Sequence, residues 1–129
     1  MDRTAMQHAG IAAEAVNGTN QRIRAALAGA DDADLKRLKD AYEVACSLKL
    51  LAQRLTLTMT QLSEIVGEWH DGGHLHTAPA TDDETVVADA RAALNSAGKT
   101  ARALFADLDD ATRSLALIGW KEPAPAGKA

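Results

Sequence analysis

Apolar residues recur at alternating intervals of three and four along three long segments of the chain. A mean spacing of about 3.5 residues keeps one apolar stripe on one helix face, so the pattern predicts three bundle or coiled-coil helices. Their predicted spans are about 3–28, 33–70 and 83–118. The stripes are Met6, Ala9, Ala13, Val16, Asn20, Ile23, Leu27 and Ala30; then Leu38, Ala41, Ala45, Leu48, Ala52, Leu55, Met59, Leu62, Val66 and Trp69; then Val87, Ala90, Leu94, Ala97, Ala101, Leu104, Leu108, Ala111, Leu115 and Ile118.

The first segment contains two features that compete with a regular helix. Asn17-Gly18 is a turn signal, but the stripe keeps its phase from Val16 to Ile23, so one continuous helix is favoured over a split. Asn20 is a polar residue within the apolar stripe. Either it is buried and fixes the helix register, or it faces solvent.

Turn-forming residues separate the predicted helices. Gly29 suits a left-handed cap at the end of the first helix, and the three acids within 31–34 would favour the start of the second. Residues 71–82 combine glycines, a proline and polar side chains, which predicts one long internal loop. Thr81-Asp82-Asp83-Glu84 has the form of a capping box that opens the third helix, Gly119 ends that helix, and 121–129 is predicted to be a disordered tail.

The composition agrees with an all-α fold. Prolines are absent from 1–78 and from 80–122, and the chain has only two Trp, one Tyr and one Phe, whereas β-sandwiches are rich in β-branched and aromatic residues. The second segment carries apolar residues on both flanks of its stripe, which indicates a helix between two neighbours. We therefore predict one domain over 1–120, an antiparallel up-down-up three-helix bundle.

The predicted helices differ in length, and this difference predicts a surface. The first spans about 40 Å and the others about 55 Å, at 1.5 Å per residue. The first would cover the second only to about residue 60, leaving a two-helix spur with apolar sides, which is typical of association sites. Unless the 71–82 loop folds over it, we predict homodimerisation or docking of a partner helix there. The predicted binding residues are Leu62, Ile65, Val66, Trp69, Val86 and Val87.

Three histidines close to this surface supply an alternative function. Imidazoles of His70, His74 and His76 are suitable ligands for zinc or nickel, which would make the protein a metal- or small-ligand-sensing bundle. Gly72-Gly73 argues against a helical His pair, however, and a solvated loop explains the same residues. Without that site no cofactor is expected. Protonation of the histidines near pH 6.5 would also make the surface sensitive to pH.

Charge and hydropathy exclude several other classes. The net charge is −4 and no segment is basic enough to neutralise many phosphates, so nucleic-acid binding is not expected. No apolar run reaches the roughly 20 residues of a membrane-spanning helix, and the N-terminus has no signal-peptide pattern. We therefore expect a soluble cytoplasmic protein, in which the single cysteine, Cys46, is a small buried or half-buried apolar side chain within a helix.

Motifs for catalysis are absent, so we expect no enzymatic activity. The sequence has no phosphate-binding glycine loop, no nucleophile elbow and no H-E-x-x-H zinc motif. In size and alanine content it resembles small secreted helical-hairpin proteins, but their Trp-x-Gly turn is replaced by Gly67-Glu68-Trp69 before the turn. A secreted helical effector is therefore one alternative. The favoured prediction is a helical interaction module, either an adaptor, a regulator or a self-assembling bundle.

Overall fold

The computed structural model describes residues 2–122 and contains three α-helices. They are α1 (Ala5–Leu27), α2 (Leu38–Asp71) and α3 (Asp83–Ala116), and no strand occurs among the described residues. The predicted all-α class with three long helices is confirmed. The difference in length is also present, because α1 has 23 residues whereas α2 and α3 have 34 each.

The chain divides into two compact units. One comprises Met1–Ala41 with Gly119–Ala129, and the other comprises Tyr42–Ile118. The first unit therefore contains α1, and the second contains most of α2 and all of α3. A single domain over 1–120, and the cover that α1 would give α2 up to residue 60, stay predictions. Most of the predicted tail, from residue 123 onward, lies outside the described residues.

Local hydrogen bonds define both ends of α1. Thr4 is the N-cap and forms a capping box with Gln7, which the sequence pattern T-x-x-Q indicates but which we had not predicted. At the other end Gly29 has a positive φ of 74°, and the N–H groups of Gly29 and Ala30 bond back to the last turn. The predicted glycine cap is thus confirmed.

The body of α1 is continuous. It passes through Asn17-Gly18 without a break, as predicted from the phase of its stripe. None of its residues is buried, and Met6 and Leu27, two of its large stripe residues, are exposed. Asn20 is exposed too, which agrees with the solvent-facing interpretation and not with a buried, register-fixing amide.

The start of α2 differs from the prediction. The helix begins at Leu38, five residues after the predicted start at 33, so the acids of 31–34 lie before it. The acid in its first turn is Asp40, whose carboxylate accepts the N–H groups of Lys36 at 2.9 Å and Arg37 at 3.1 Å. These two bonds lower the pKa of Asp40. The helix therefore begins next to the two N–H groups that the Asp40 carboxylate accepts. The acids of 31–34 accept no such backbone bond among the described residues.

Helices α2 and α3 pack closely as an antiparallel hairpin. Lys49 contacts Asp109, Met59 lies beside Gly98, and Ser63 contacts Arg91, so positions rise along α2 as they fall along α3. The buried residues of this seam are mostly small, which brings the two backbones together. They are Ala52, Ser63 and Gly67 on α2, and Val87, Gly98, Ala101 and Thr112 on α3.

Both ends of α3 require corrections. Its N-cap is Asp82 and not Thr81, because the Asp82 carboxylate accepts the N–H of Glu84 at 3.3 Å. The Thr81 hydroxyl instead donates to the Ala78 carbonyl, which removes it from the predicted capping box. At the other end the helix stops at Ala116 with Leu117 as C-cap, before Gly119.

Candidate functional site

The candidate site is the closed end of the α2–α3 hairpin, here called the hairpin end: residues 60–91, with the connection 72–82 between the helices. Three of the six predicted binding residues are exposed there, namely Leu62 at 43%, Trp69 at 49% and Val86 at 42%. Ile65 and Val66 are half-buried. Val87 is buried at 8% exposure, so it belongs to the interior of the hairpin and not to the exposed surface. We call Leu62, Ile65, Val66, Trp69 and Val86 the end patch.

Helix geometry explains why Leu62 and Trp69 of the end patch point away from the contact with α3. The buried residues Ser63 and Gly67 define the side of α2 that meets its neighbour. At about 100° per residue, Leu62 and Trp69 lie roughly 100–120° around the helix from Ser63. Neither large side chain therefore reaches the seam, which is filled by small residues instead.

The connection between the helices is fixed by local hydrogen bonds. Gly73 has a φ of 76°, and the N–H of His74 bonds to the carbonyl of Trp69 at 3.0 Å, which forms a glycine cap at the end of α2. On the other side, the backbone N–H of Thr77 donates to the Asp83 carboxylate at 3.0 Å. With the connection held in this way, Leu62, Trp69 and Val86 of the end patch are still exposed.

Asp83, the first residue of α3, is the acid that interacts with the polar groups of this connection. Hydrogen bonds from the hydroxyl and the N–H of Thr77 lower the pKa of Asp83, and the charges of His76 and His70 lower it further. Of the predicted histidines, His70 is half-buried in the last turn of α2, whereas His76 is exposed within the connection. Protonated imidazoles there would be attracted to this carboxylate.

A metal site at these histidines stays a hypothesis from the sequence. Among residues 2–122, no group of three or more His, Cys, Asp or Glu side chains is arranged to hold a metal ion. His74 is exposed and its ring lies close to Gly72, where an added Cβ would be 3.1 Å from it. The charges of His70 and His76 act on Asp83, which links two of the predicted ligands to an acid.

Beneath the end patch, α3 places an arginine against the smallest residue of α2. The Nε of Arg91 lies 3.4 Å from the Ser63 hydroxyl, which itself donates to the Arg91 carbonyl at 3.4 Å. A Cβ on Gly67 would lie only 2.6 Å from the Arg91 guanidinium carbon. Glycine therefore makes room for the arginine. Sequence reasoning missed this contact, although a glycine four residues after a serine within a helix was a usable signal.

The charge of the hairpin end is strongly negative. Residues 60–91 contain seven Asp and Glu side chains and one basic side chain, Arg91, which gives a net charge of −6 with neutral histidines. Of these acids Asp83 is held by Thr77. Within the described part of the chain, Glu64, Glu68 and Asp89 form no ion pair and are exposed.

The cysteine lies outside this site. Cys46 is free and half-buried in α2, as expected of a small structural side chain. It lies one turn after Tyr42, and the interaction with the Cys46 thiol raises the pKa of the Tyr42 hydroxyl. Both residues are far along α2 from the end patch, so they take no part in its chemistry.

No protein-family model, curated protein or solved structure matches the chain. Among the described helices, none has the length and apolar content needed to cross a membrane. Evidence about function therefore comes from the side chains themselves, and the exposed apolar residues of the second unit are the most informative of these.

Proposed function

We propose that this protein is a non-enzymatic helical protein–protein interaction module, and that the end patch is its binding surface. The observation that carries the proposal is the exposure of Trp69, Leu62 and Val86 at one end of the hairpin. A partner helix or a second copy would remove these side chains from water. The absence of catalytic motifs from the sequence supports a binding role in place of catalysis.

Physical considerations favour Trp69 as the main anchor. Tryptophan is enriched among the few interface residues that dominate binding energy, because it buries a large area and loses little conformational entropy. Trp69 lies in the last turn of α2, and about half of its surface is exposed. The hydrophobic driving force grows with the apolar area removed from water, so this residue and Leu62 would contribute most.

Affinity capture with matched variants tests the proposal. The full chain, a Trp69→Ala variant and a Leu117→Ala variant are used as baits in extracts of the native host, and bound proteins are compared by quantitative mass spectrometry. Leu117 is the matched control, because it is 88% exposed but lies at the opposite end of α3. We expect Trp69→Ala to lose about tenfold or more of a specific partner, as a typical anchor residue does. Leu117→Ala should retain it.

A direct contact is then required. A photo-crosslinking amino acid at Leu62 should trap the same partner, whereas the same group at the exposed Gln53 should not. If Trp69→Ala and wild type bind the same proteins equally and Leu62 traps nothing, the end patch is not a binding surface. Circular dichroism of each variant verifies that the helices are intact.

A further inference from the structure

The side of α2 turned away from α3 carries a second exposed apolar surface. Leu50 is 42% exposed and Leu57 is 59% exposed, and they lie on one face with Arg54, Glu64 and Glu68. At about 100° per residue all five fall within an arc of roughly 80°, centred about 140° from Ser63 in the seam. We call these five residues the outer face of α2. It is separate from the end patch.

The charged groups of the outer face have no partners among the described residues. Arg54, Glu64 and Glu68 form none of the ion pairs in residues 2–122. Neither glutamate has a base three or four positions away along the helix. Apart from the two glutamates themselves, these positions hold Thr60, Gln61, Ile65, Gly67, Asp71 and Gly72. Glu64 and Glu68 are themselves four apart, and like charges at this spacing repel one another. The pair would therefore be stabilised by a cation from outside.

The order of these residues along α2 places one base and one acid symmetrically about position 59. Arg54 and Glu64 lie five residues to either side of position 59, Leu57 and Gln61 lie two to either side, and Leu50 and Glu68 lie nine to either side. If a second α2 lies antiparallel across the first with a two-fold axis level with residue 59, each Arg54 faces Glu64 of the other copy. The two Leu57 side chains flank the axis. Such an isologous contact closes at two copies.

We propose that the outer face of α2 binds the same face of a second copy of this chain, in an antiparallel, two-fold symmetric contact. Two reciprocal Arg54–Glu64 ion pairs set its register, and the two Leu57 side chains beside the two-fold axis supply most of its apolar area. The contact spans about 27 Å of one helix, so it is a small interface with weak affinity that salt reduces further. The contact uses none of the end-patch residues. This proposal is therefore independent of the proposed function.

Sedimentation equilibrium of the full chain tests the proposal by charge exchange. At low ionic strength and rising concentration, the mass should increase and saturate at two copies. Arg54→Glu and Glu64→Arg should each weaken dimerisation about tenfold, because two attractive pairs become two repulsive ones. The double variant Arg54→Glu/Glu64→Arg recreates both pairs in reverse and should restore the wild-type constant. Lys99→Glu, at an exposed position of α3, is the matched control and should leave the constant unchanged.

Each other outcome overturns the proposal. A chain that stays monomeric at every concentration has no such contact, and a mass that grows beyond two copies excludes a closed two-fold contact. Single variants that weaken dimerisation without rescue in the double variant would show that Arg54 and Glu64 do not face each other. Dimerisation that is abolished by Trp69→Ala but unaffected by Arg54→Glu would place the contact at the end patch. Melting curves for every variant exclude unfolding as the cause.

Discussion

The two ends of the α2–α3 hairpin satisfy their charged groups in different ways. At the open end, where the first half of α2 packs against the last part of α3, the Lys49 ammonium donates to the Asp109 carboxylate at 3.0 Å. The same ammonium lies 5.7 Å from the centroid of the Phe105 ring. Arg113 pairs with the same carboxylate. At the hairpin end the single base, Arg91, lies against Ser63 and Gly67, and it makes no ion pair there among the described residues.

This difference separates stabilising groups from groups that remain available for binding. Lys49 and Asp109 are about three-quarters buried as side chains, and each has its partner within the chain. The hairpin end instead combines exposed apolar side chains with exposed acids, Glu64, Glu68 and Asp89, that form no ion pair within residues 2–122. A surface whose groups are already paired gains little from a partner, whereas unpaired acids and exposed apolar groups gain more.

Overpacking the seam should give the largest effect. Ser63 is 2% exposed and Ala52, nearer the open end, is 1% exposed, so leucine fits at neither position without displacement of α3. Ser63→Leu should lower the free energy of unfolding by about 1–3 kcal/mol, the usual cost of overpacking. It should cost more than Ala52→Leu, because it also removes the hydroxyl that contacts Arg91. Urea denaturation measures both.

Gln61→Leu is the control for that comparison, since it adds the same side chain at an exposed position of α2. Its effect should stay within about 0.5 kcal/mol, as for most surface substitutions. If Ser63→Leu and Gln61→Leu had the same free energy of unfolding, the seam near the hairpin end would have room for a larger side chain and would not be tightly packed.

Two glycines of the seam give the next largest difference. Alanine in place of glycine within a helix stabilises by about 0.5–1 kcal/mol where it fits. A Cβ at Gly98 would meet Met59 at an ordinary 3.5 Å, so Gly98→Ala should show this gain. At Gly67 the Cβ would force the Arg91 guanidinium to move, so Gly67→Ala should gain less or lose stability. Thermal melting ranks the two, and the reverse order would contradict the arginine contact.

Sequence periodicity predicted the helices better than it predicted the seam. The predicted second stripe contains Leu62 and Trp69, which are exposed, and omits Ser63 and Gly67, which are buried. An α-helix has 3.6 residues per turn, so a seven-residue stripe drifts by about 20° in each repeat and leaves the contact line. The buried residues recur after eleven residues instead, as in Ala52 and Ser63 on α2, or Val87 and Gly98 on α3.

The remaining differences come from contacts that no local pattern encodes. Lys49 and Asp109 are 60 positions apart, and only the register of the hairpin brings them together. The end of α2 at Asp71 was predictable because glycines follow it directly. Its start was not, because the acids of 31–34 fit the start of a helix as well as Asp40 does, and the sequence does not rank the local bonds of Asp40 to Lys36 and Arg37 above them.

Acid should affect both ends of the hairpin in the same direction. The folded-state pKa values of Asp83 and Asp109 are both lowered, by hydrogen bonds from Thr77 and from Lys49 respectively. Such groups stabilise the fold at a pH above the unfolded-state pKa of about 3.9, and this contribution is lost as the pH falls through the lower folded-state value. Asp83→Asn and Asp109→Asn should therefore destabilise at pH 7 and differ less from wild type in acid.

Urea denaturation from pH 7 downward measures this convergence. Asp107→Asn is the control, because Asp107 is exposed and forms no ion pair within residues 2–122. A constant difference between wild type and Asp83→Asn at every pH would show that the Thr77 bonds do not depend on ionised Asp83.

The smallest effect distinguishes the causes of the two lowered pKa values. At Asp109 the largest cause is the bond from the Lys49 ammonium, so Lys49→Met should raise the pKa of Asp109 and leave the pKa of Asp83 unchanged. At Asp83 the largest cause is the neutral hydroxyl of Thr77, so Thr77→Val should raise the pKa of Asp83 alone. About 0.5 M NaCl, which shortens the screening length to a few Å, should raise the pKa of Asp109 more than that of Asp83. Carboxyl NMR titration follows both groups in one sample. If salt moved both pKa values equally, then the histidine charges, and not the Thr77 bonds, would control Asp83, and the hairpin end would be held by charge just as the open end is.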